Sequence, residues 1–553
     1  MKKMVFFLLA LSVCVSAMAY DKYWIVFKDK NGTPFTVNNP SAFLSQRAIQ
    51  RRVNQNIPVT QNDLPVTPMY VQLVLATGNV NLRYTSRWFN AISIQTTDAN
   101  ALAAISALPF VQSVQPVMRY KRPNDDYIET FNNLSNAKQA SPSKNKELLA
   151  YNYGPSFNQI NMIGGDCMHF MGYSGEGMVV AVLDAGFYKV DSLPVFDSLW
   201  ANHQILGTRD FVTGDTMVFE DHWHGTMVLS CMGGYLSGQI VGTSPKASYW
   251  LLRTEDADTE FLVEEDNWVA GAEFADSVGA DILNTSLGYT TFDDNSMNHS
   301  YQDLDGNTCR ISVASDFAVS KGMFAVCSAG NSGASVWYHI GAPADADSAL
   351  TVGAVDAGGV ITNFSSRGPS ADGDIKPNVC AQGRDAIVSS MGGGIQTANG
   401  TSFSSPITCG AVACLWQANP TMTNMEIYDA IIKSAHKYNF PDDSLYGYGI
   451  PDFCMANIIL SQSKTINLVE NTHVYPNPFN KSFSFVLESA TNQMVILELK
   501  DISGKKVYSA FYNMSENSVN TIEVGNLSHL DRGIYMLTVT GNELFYSKKI
   551  VKE

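Results

Sequence analysis

The chain has 553 residues, a formal net charge of −16, 45% hydrophobic residues and 16% charged residues. This length allows two to four domains with at least one large core, and the composition is that of a globular protein rather than a disordered one. The negative charge argues against a nucleic-acid partner and provides no basic patch for an acidic membrane surface.

The first residues, MKKMVFFLLALSVCVSAMAY, predict a signal peptide over 1–19. Two lysines precede an apolar run at 5–15, and small residues at 17 and 19 form the cleavage site. The alternative is a retained anchor, but this run is too short to span a bilayer as a helix. No later segment is apolar enough to do so. We therefore expect an exported protein, secreted or attached to the cell surface, with no membrane span.

Residues 20–120 alternate strand-like and helix-like stretches, which predicts a small α+β domain. KYWIVFK and WFNAISIQ indicate strands, and SAFLSQRAIQRR and ANALAAISAL indicate helices. We interpret the basic RAIQRR as a solvated helix face rather than a binding patch. Residues 121–150 are polar and without a period, which predicts an exposed linker where processing occurs.

Residues 151–462 predict one α/β domain. The runs MVVAVLD, ASYWLLR, DILNTS, MFAVCSA and ALTVGAV are short and almost continuously apolar, as in a parallel sheet covered by helices on both faces. Helices are expected between them, for example over 261–277 and 311–321. Residues 463–553 alternate apolar and polar positions between turns, which predicts a small β-sandwich.

Nine cysteines occur, and removal of the signal peptide with Cys14 leaves eight. They form no CxxC pair and show no metal-ligand spacing. Buried free thiols are the favoured interpretation because cysteine packs as a small hydrophobe. The alternative is that one or two disulfides form after export, and the cysteine spacing does not assign their partners.

Two polar side chains stand at the ends of predicted elements. Asp184 ends the apolar run VVAVLD, at the edge where parallel sheets carry their sites. His224 precedes Gly-Thr at the predicted start of a helix of small and apolar residues. The helix dipole does not favour a cationic imidazole at this end, so a neutral His224 can act as a base. The alternatives are a loop-capping Asp and a buried structural His; His222 is a weaker candidate for the base.

Two further stretches complete the set. Asn331 follows the strand of FAVCSAGNSG, where its amide can donate to an oxygen that gains charge; a turn-forming Asn is the alternative. Ser402, in ANGTSFSSPITCGAVACLW, stands at a predicted helix start among unpaired N–H groups that favour an oxyanion. A Ser N-cap explains the serine but not the small residues around it.

The chain order Asp, His, Asn, Ser, each at a strand end or helix start, resembles the subtilisin-like serine proteases, or subtilases. The stretches GTSPKASYWLLR, ILNTSLGY, APADADSALTVGAVD and ITNFSSRGPSADGDIKPNVCAQG add to the resemblance, which covers about residues 155–460. It implies a serine endopeptidase that hydrolyses peptide bonds of protein or peptide substrates.

The resemblance also implies roles for individual residues. Ser402 would be the nucleophile, His224 its base, Asp184 the group that orients the imidazole, and Asn331 part of the oxyanion hole. Six residues would line the path of the substrate backbone: Ser286, Leu287, Gly288, Ser328, Ala329 and Gly330. Two positions depart from the family pattern, Met227 for a second His and Gln382 for Pro before Gly383. Neither has one of the four roles.

The flanking regions resemble those of an exported zymogen. Residues 20–120 look like an inhibitor-type propeptide, which would act as an intramolecular inhibitor. The C-terminal domain, with VYPNPFN, resembles the sorting domains of type IX secretion in Bacteroidota and implies that machinery as a partner. An accessory β-domain is the alternative for the C-terminal region. A catalytically silent binding or adhesion protein is the alternative for the whole chain.

We expect no cofactor and no metal site. DLDGNT at 303–308 holds two carboxylates and a turn glycine, as calcium loops do, but lacks the downstream bidentate Glu of an EF-hand. A plain Asp-Gly turn is the favoured interpretation, and calcium stays open as an alternative.

Overall fold

The computed structural model describes residues 20–119, 150–442, 444–462, 473–489, 492–502, 504–516, 518–541 and 545–553. Two predictions lie outside the described residues: the signal peptide at 1–19 and, except for residue 150, the linker at 121–150. The predicted domain boundary between residues 462 and 463 falls at the edge of a described range.

The N-terminal part is a four-stranded antiparallel sheet with three helices. Its elements are β1 (Tyr20–Phe27), α1 (Gln46–Asn54), α2 (Pro68–Leu75), β2 (Asn81–Ser86), β3 (Ala91–Gln95), α3 (Ala99–Ser106) and β4 (Val111–Arg119). The strand order is β2-β3-β1-β4. The predicted α+β character of this region is confirmed.

The central part contains the elements that carry the candidate site. Its helices are α4 (Phe157–Asn161), α5 (Gly165–Phe170), α6 (Asp197–Ala201), α7 (His224–Gly233), α8 (Val263–Val278), α9 (Arg310–Ser320), α10 (Thr401–Ala418), α11 (Asn424–Ser434) and α12 (Phe453–Gln462). Its strands are β5 (Val179–Asp184), β6 (Ile205–Asp210), β7 (Tyr235–Leu236), β8 (Ile240–Val241), β9 (Ser248–Arg253), β10 (Ile282–Thr285), β11 (Phe324–Ser328), β12 (Leu350–Val355), β13 (Val379–Gln382), β14 (Ala386–Ser389) and β15 (Ile395–Ala398).

Seven of these strands form one parallel sheet in the order β13-β12-β11-β10-β5-β9-β6. Successive side chains of a strand point to opposite faces. In β5, Val180 and Val182 accordingly pack in the core with α7 and α10, whereas Ala181 and Leu183 pack in the core with α8 and α9. Both faces are therefore covered, as the apolar runs predict.

The prediction of a solvated RAIQRR face is wrong for two of its arginines. Arg51 and Arg52 are 5% and 1% exposed, and both pair with Asp276 of α8. Arg87 also pairs with Asp276, at 2.6 Å. A buried carboxylate needs cationic partners, so these arginines join the N-terminal part to α8 instead of facing water.

One disulfide forms among the described cysteines, between Cys167 of α5 and Cys454 of α12. The other six are buried free thiols: Cys231, Cys309, Cys327, Cys380, Cys409 and Cys414. Burial raises the pKa of Cys231, Cys409 and Cys414 beyond their usual range, so these thiols stay protonated and pack as small apolar groups.

The C-terminal part consists of two antiparallel sheets, in the orders β16-β17-β20 and β19-β18-β21-β22, so the predicted β-sandwich is confirmed. Its strands are β16 (His473–Tyr475), β17 (Phe483–Ser489), β18 (Gln493–Asp501), β19 (Lys506–Met514), β20 (Ser518–Val524), β21 (Gly533–Thr540) and β22 (Phe545–Lys552). In the part of the chain that the structure describes, no helix combines the length and apolarity needed to cross a bilayer.

Candidate active site

Asp184 is the last residue of β5 and is fully buried. Its Oδ1 accepts hydrogen bonds from the backbone N–H of Ala185 and from Nδ1 of His224, both at 2.8 Å. Because a carboxylate only accepts, Nδ1 of His224 carries the proton and Nε2 of the neutral ring is left as the acceptor.

Gly225 allows α7 to approach the end of β5. A Cβ at this position would lie 2.9 Å from Cβ of Asp184 and would overlap the carbonyl oxygen of Gly186. Any larger residue would separate the helix from the strand. The Gly that follows His224 in the sequence thus fixes the imidazole against the carboxylate.

His222 supports the start of α7. Its Nδ1 accepts the backbone N–H of His224 at 3.3 Å. Burial, and then the nearby imidazole of His224, lower the pKa of His222 to about 4, so the His222 ring is neutral near pH 7 and can accept this bond. This bond holds the backbone of His224 at the start of α7.

Ser402 is the second residue of α10 and is 5% exposed. Its hydroxyl donates to the carbonyl of Ser286 at 3.4 Å, and the hydroxyl of Ser286 donates to the carbonyl of Ser402 at 3.0 Å. This reciprocal pair fixes the N-terminal turn of α10 beside the segment that follows β10. The first N–H groups of a helix have no partner inside it, so this end can donate to a negative oxygen.

The orientation of the Asn331 amide is set by Thr401. Its Oδ1 accepts from the backbone N–H of Thr401 at 2.9 Å and from the Thr401 hydroxyl at 3.1 Å. With its oxygen held in this way, the NH₂ group of Asn331 is turned away from Thr401. Asn331 lines the same cleft as Ser402.

A cleft of about 160 Å³ brings most of the predicted residues together. His224, Ser402, Asn331, Ser286, Leu287, Gly288, Ser328 and Gly330 line it. Asp184 lies behind His224, and Ala329 is buried against Ile340 and Ala344. Four residues that were not predicted as site residues also line the cleft: Glu255, Glu260, Trp337 and His339. These four lie in connections without a period, where no pattern marked them.

The two departures from the family pattern have partners away from the cleft. Met227 is 1% exposed, and its sulfur accepts from the Gln396 amide at 3.2 Å. The side-chain oxygen Oε1 of Gln382 accepts a hydrogen bond from the side-chain NH₂ of Asn158 at 2.7 Å. Both side chains are therefore part of the packing around the site.

The carboxylates of the loop 303–308 accept hydrogen bonds from backbone N–H groups close in the sequence. Asp305 accepts from the N–H groups of Asn307 and Thr308, and Asp303 accepts from the N–H of Ser300. A different group, Asp347, Asp372 and Asp374, has carboxylate oxygens within 4.8 Å of one another and could hold a cation such as calcium. These three residues are exposed, and exposed acidic groups are common without an ion.

Three family models match the chain. Residues 175–449 match the subtilase family, residues 22–135 a Peptidase S8 propeptide domain of Bacteroidota, and residues 473–553 a secretion system C-terminal sorting domain. Their order agrees with the three structural parts of the fold. The sorting domain indicates a secreted or cell-surface protein.

Curated relatives match the central region. Subtilisin E of Bacillus subtilis is 30% identical over 293 residues, which is 52% of this chain and 68% of the relative. Subtilisin of Bacillus pumilus is 30% identical over 281 residues, 50% of this chain and 90% of the relative. Serine protease AprX of Bacillus subtilis is 28% identical over 305 residues, 50% of this chain and 65% of the relative.

The parallel sheet, the cleft at its edge and these matches define a serine endopeptidase. The chain belongs to the subtilase family and carries a propeptide region and a secretion tail, as an exported protease made as a zymogen does.

Proposed function

We propose that the mature protein hydrolyses peptide bonds with Ser402 as nucleophile, His224 as general base and acid, and Asp184 as the group that orients His224. The observation that carries this proposal is the 2.8 Å bond from His224 Nδ1 to buried Asp184. It leaves Nε2 as the basic nitrogen of an imidazole that lines the same cleft as Ser402.

The chemistry proceeds in two halves. As the Ser402 oxygen bonds to the substrate carbonyl carbon, His224 Nε2 takes the hydroxyl proton; it then gives this proton to the amine as the C–N bond breaks. Water repeats the sequence on the acyl-enzyme, releases the acid product and restores the hydroxyl. The Asp184 carboxylate keeps its hydrogen bond to Nδ1 and stabilises the imidazolium formed in each half.

The oxyanion of each tetrahedral intermediate would be held by the side-chain NH₂ of Asn331 and the backbone N–H of Ser402. Support comes from the fixed Asn331 oxygen and from the position of Ser402 at the start of α10. Donors that are in place before the reaction stabilise the developing charge without reorganisation.

The substrate backbone would lie between Ser286–Gly288 and Ser328–Gly330, which flank the cleft as extensions of β10 and β11. Main-chain pairing to segments that border a cleft fixes an extended peptide in register. Ala329 would contribute to the second wall from its buried position.

The precursor would process itself. In this proposal, residues 1–19 are the signal peptide, 20–120 the inhibitory propeptide, 121–150 the region that is cut, 151–462 the protease and 463–553 the sorting domain read by the type IX machinery. Support comes from the buried contacts between the N-terminal part and α8, which hold the proposed propeptide against the proposed protease part.

The test compares the wild-type precursor with Ser402→Ala and with Ser404→Ala. Ser404 is a matched control because it is buried in the same helix and its hydroxyl bonds the Thr401 carbonyl at 3.0 Å. We expect intact mass to show loss of about 100 N-terminal residues in the wild type and Ser404→Ala only. A fluorophosphonate should label both at Ser402.

Two results would contradict the proposal. Equal trimming of all three proteins would mean that another protease cuts the precursor. A fluorophosphonate that leaves Ser402 unlabelled in a folded, trimmed protein would favour a catalytically silent binding protein with this fold.

A further inference from the structure

Two glutamates line one wall of the cleft, and a third is buried near them. The connection from β9 to α8 carries Glu255 and Glu260, which line the cleft with His224 and Ser402. Glu264, in the first turn of α8, is buried behind them. None of the three has a role in the reaction steps described above.

Glu264 is the side chain that requires an explanation. It is 0% exposed, and neither of its carboxylate oxygens has a hydrogen-bond partner among the described residues. Burial, and then the charges of Glu260, Glu255 and Asp256, raise the pKa of Glu264 well above its usual range. An unpartnered buried carboxyl beside like charges is costly, and a cation nearby would relieve that cost.

Glu255 is held in position for such a cation. The buried hydroxyl of Tyr289 donates to Glu255 Oε2 at 3.3 Å. Tyr289 directly follows Ser286–Gly288, so the Glu255 carboxylate is fixed relative to the proposed path of the substrate. The outer Glu260 is partly exposed on the same wall.

The N-terminal part already brings cations to this side of the molecule. Burial lowers the pKa of Lys22 to about 8, and the nearby acidic groups Asp21, Asp256 and Glu264 act in the opposite direction by favouring the charged ammonium. Arg119, the last residue of β4, pairs with Asp294 at 2.6 Å. The N-terminal part thus places the cation Lys22 among acidic side chains of this region, Asp256 and Glu264.

We propose that Glu255 and Glu260, with Glu264 behind them, form a subsite that selects substrates by a lysine or arginine side chain. This inference deepens the proposed function and rests on it. A guanidinium or ammonium group that enters the subsite would replace its hydrogen bonds to water with charge-assisted bonds to these carboxylates. An acidic side chain would be repelled by their negative charge. Glu255 and Glu260 are then specificity-determining residues.

The experiment uses the mature wild-type enzyme and one peptide scaffold in which Arg, Gln or Glu is placed in turn at each position around the cut. We expect one position at which kcat/KM for Arg exceeds that for Gln at least 10-fold and Glu is at least 10-fold poorer than Gln. The Arg preference should shrink as salt rises, because screening weakens charge pairing.

The variant Glu255→Gln/Glu260→Gln should bring the Arg-to-Gln ratio at that position towards one. Glu176→Gln is the matched control, since this glutamate is 72% exposed and its partner is Lys246 outside the cleft. Fluorophosphonate labelling of Ser402 shows that each variant retains a folded site.

A wild-type Arg-to-Gln ratio near one at every position, with the Gln peptide still cleaved, would overturn the subsite and leave the proposed function standing. A ratio that survives in the double variant would also overturn it. Cleavage of no peptide, with Ser402 unlabelled, would overturn the proposed function and this inference together.

Discussion

Arg52 of α1 donates a hydrogen bond to Asp276 of α8 at 2.9 Å, and the two side chains are 1% and 0% exposed. Arg51 and Arg87 pair with the same carboxylate, so one buried anion in the protease part holds three cations of the N-terminal part. Burial alone would raise the pKa of Asp276, but the three guanidiniums lower it to about 2.

Replacing this anion should loosen the precursor. In a Ser402→Ala background, which prevents processing, we expect Asp276→Asn to lower the free energy of unfolding by about 3–5 kcal/mol, because three buried cations lose their shared partner. Denaturant unfolding measures this loss. Asp429→Asn, a 63% exposed member of a surface pair with Lys433, should change stability by less than about 0.5 kcal/mol. An unchanged midpoint for Asp276→Asn would contradict the structural role of the network.

Loss of the Asn331 amide should slow turnover without weakening substrate binding. We expect Asn331→Ala to lower kcat by roughly 10²–10³ with KM little changed, because its NH₂ would contact the substrate oxygen only when that oxygen becomes charged. A loss of this size is the one known for an oxyanion-hole asparagine of subtilisin itself. Steady-state kinetics on one peptide checks the prediction. Asn363→Ala, an exposed asparagine outside the cleft, is the control. A rise in KM with kcat unchanged would assign Asn331 to ground-state binding instead.

The close approach of α7 to β5 gives a prediction for Gly225. In Gly225→Ala the new Cβ would lie 2.9 Å from Cβ of Asp184, so the helix must move and the His224–Asp184 bond must lengthen. We expect kcat to fall at least about 10-fold while the protein stays folded, because a weakened orienting bond disturbs the tautomer of His224. Gly394→Ala, whose Cβ would meet no atom within 4 Å, is the matched control. Equal kcat in the two variants would show that α7 tolerates the methyl group.

The buried His169 makes stability depend on pH. Its Nε2 donates to the Thr243 carbonyl at 2.9 Å, and its Nδ1 accepts the Tyr153 hydroxyl at 2.8 Å, so the folded protein holds the neutral ring. Burial lowers the pKa of His169 to about 4 from the usual 6.5. As pH falls below 6.5 the unfolded chain takes up the proton first, so stability is complete above pH 6.5 and declines towards pH 4.

The expected loss from His169 is about 3 kcal/mol between pH 6.5 and 4, measured by unfolding of the Ser402→Ala precursor at several pH values. His222 has a similarly lowered pKa and contributes in the same window. His169→Gln should therefore flatten the pH dependence in part, at some cost in stability at pH 7. An identical slope with and without His169 would mean that other groups cause the decline.

The elements that carry the candidate site were the most predictable from sequence. Asp184 ends a strand with no polar interruption, and Ser402 starts a long apolar helix, so local pattern alone marks both positions. Strand β6 was not predicted, because it is an edge strand of mixed burial and shows no clean alternation.

Features that depend on distant partners escaped the sequence analysis. Arg51 was predicted to be solvated because its partner Asp276 is 225 positions away in the sequence, and no local pattern indicates the pairing. Glu255 and Glu260 lie in a connection whose position at the cleft follows only from the order β10-β5-β9 in the sheet. The cysteine spacing likewise contained no hint that Cys167 and Cys454 would meet.

That pairing of Cys167 with Cys454 closes a ring of chain in which the two residues are 287 positions apart. The ring encloses every strand of the parallel sheet and the helices that cover it. A hydrolytic nick anywhere inside it opens the backbone but does not divide the molecule. A secreted endopeptidase exposed to its own copies can thus be cut and stay in one piece, and its fragments separate only when a reductant reaches the sulfur bridge.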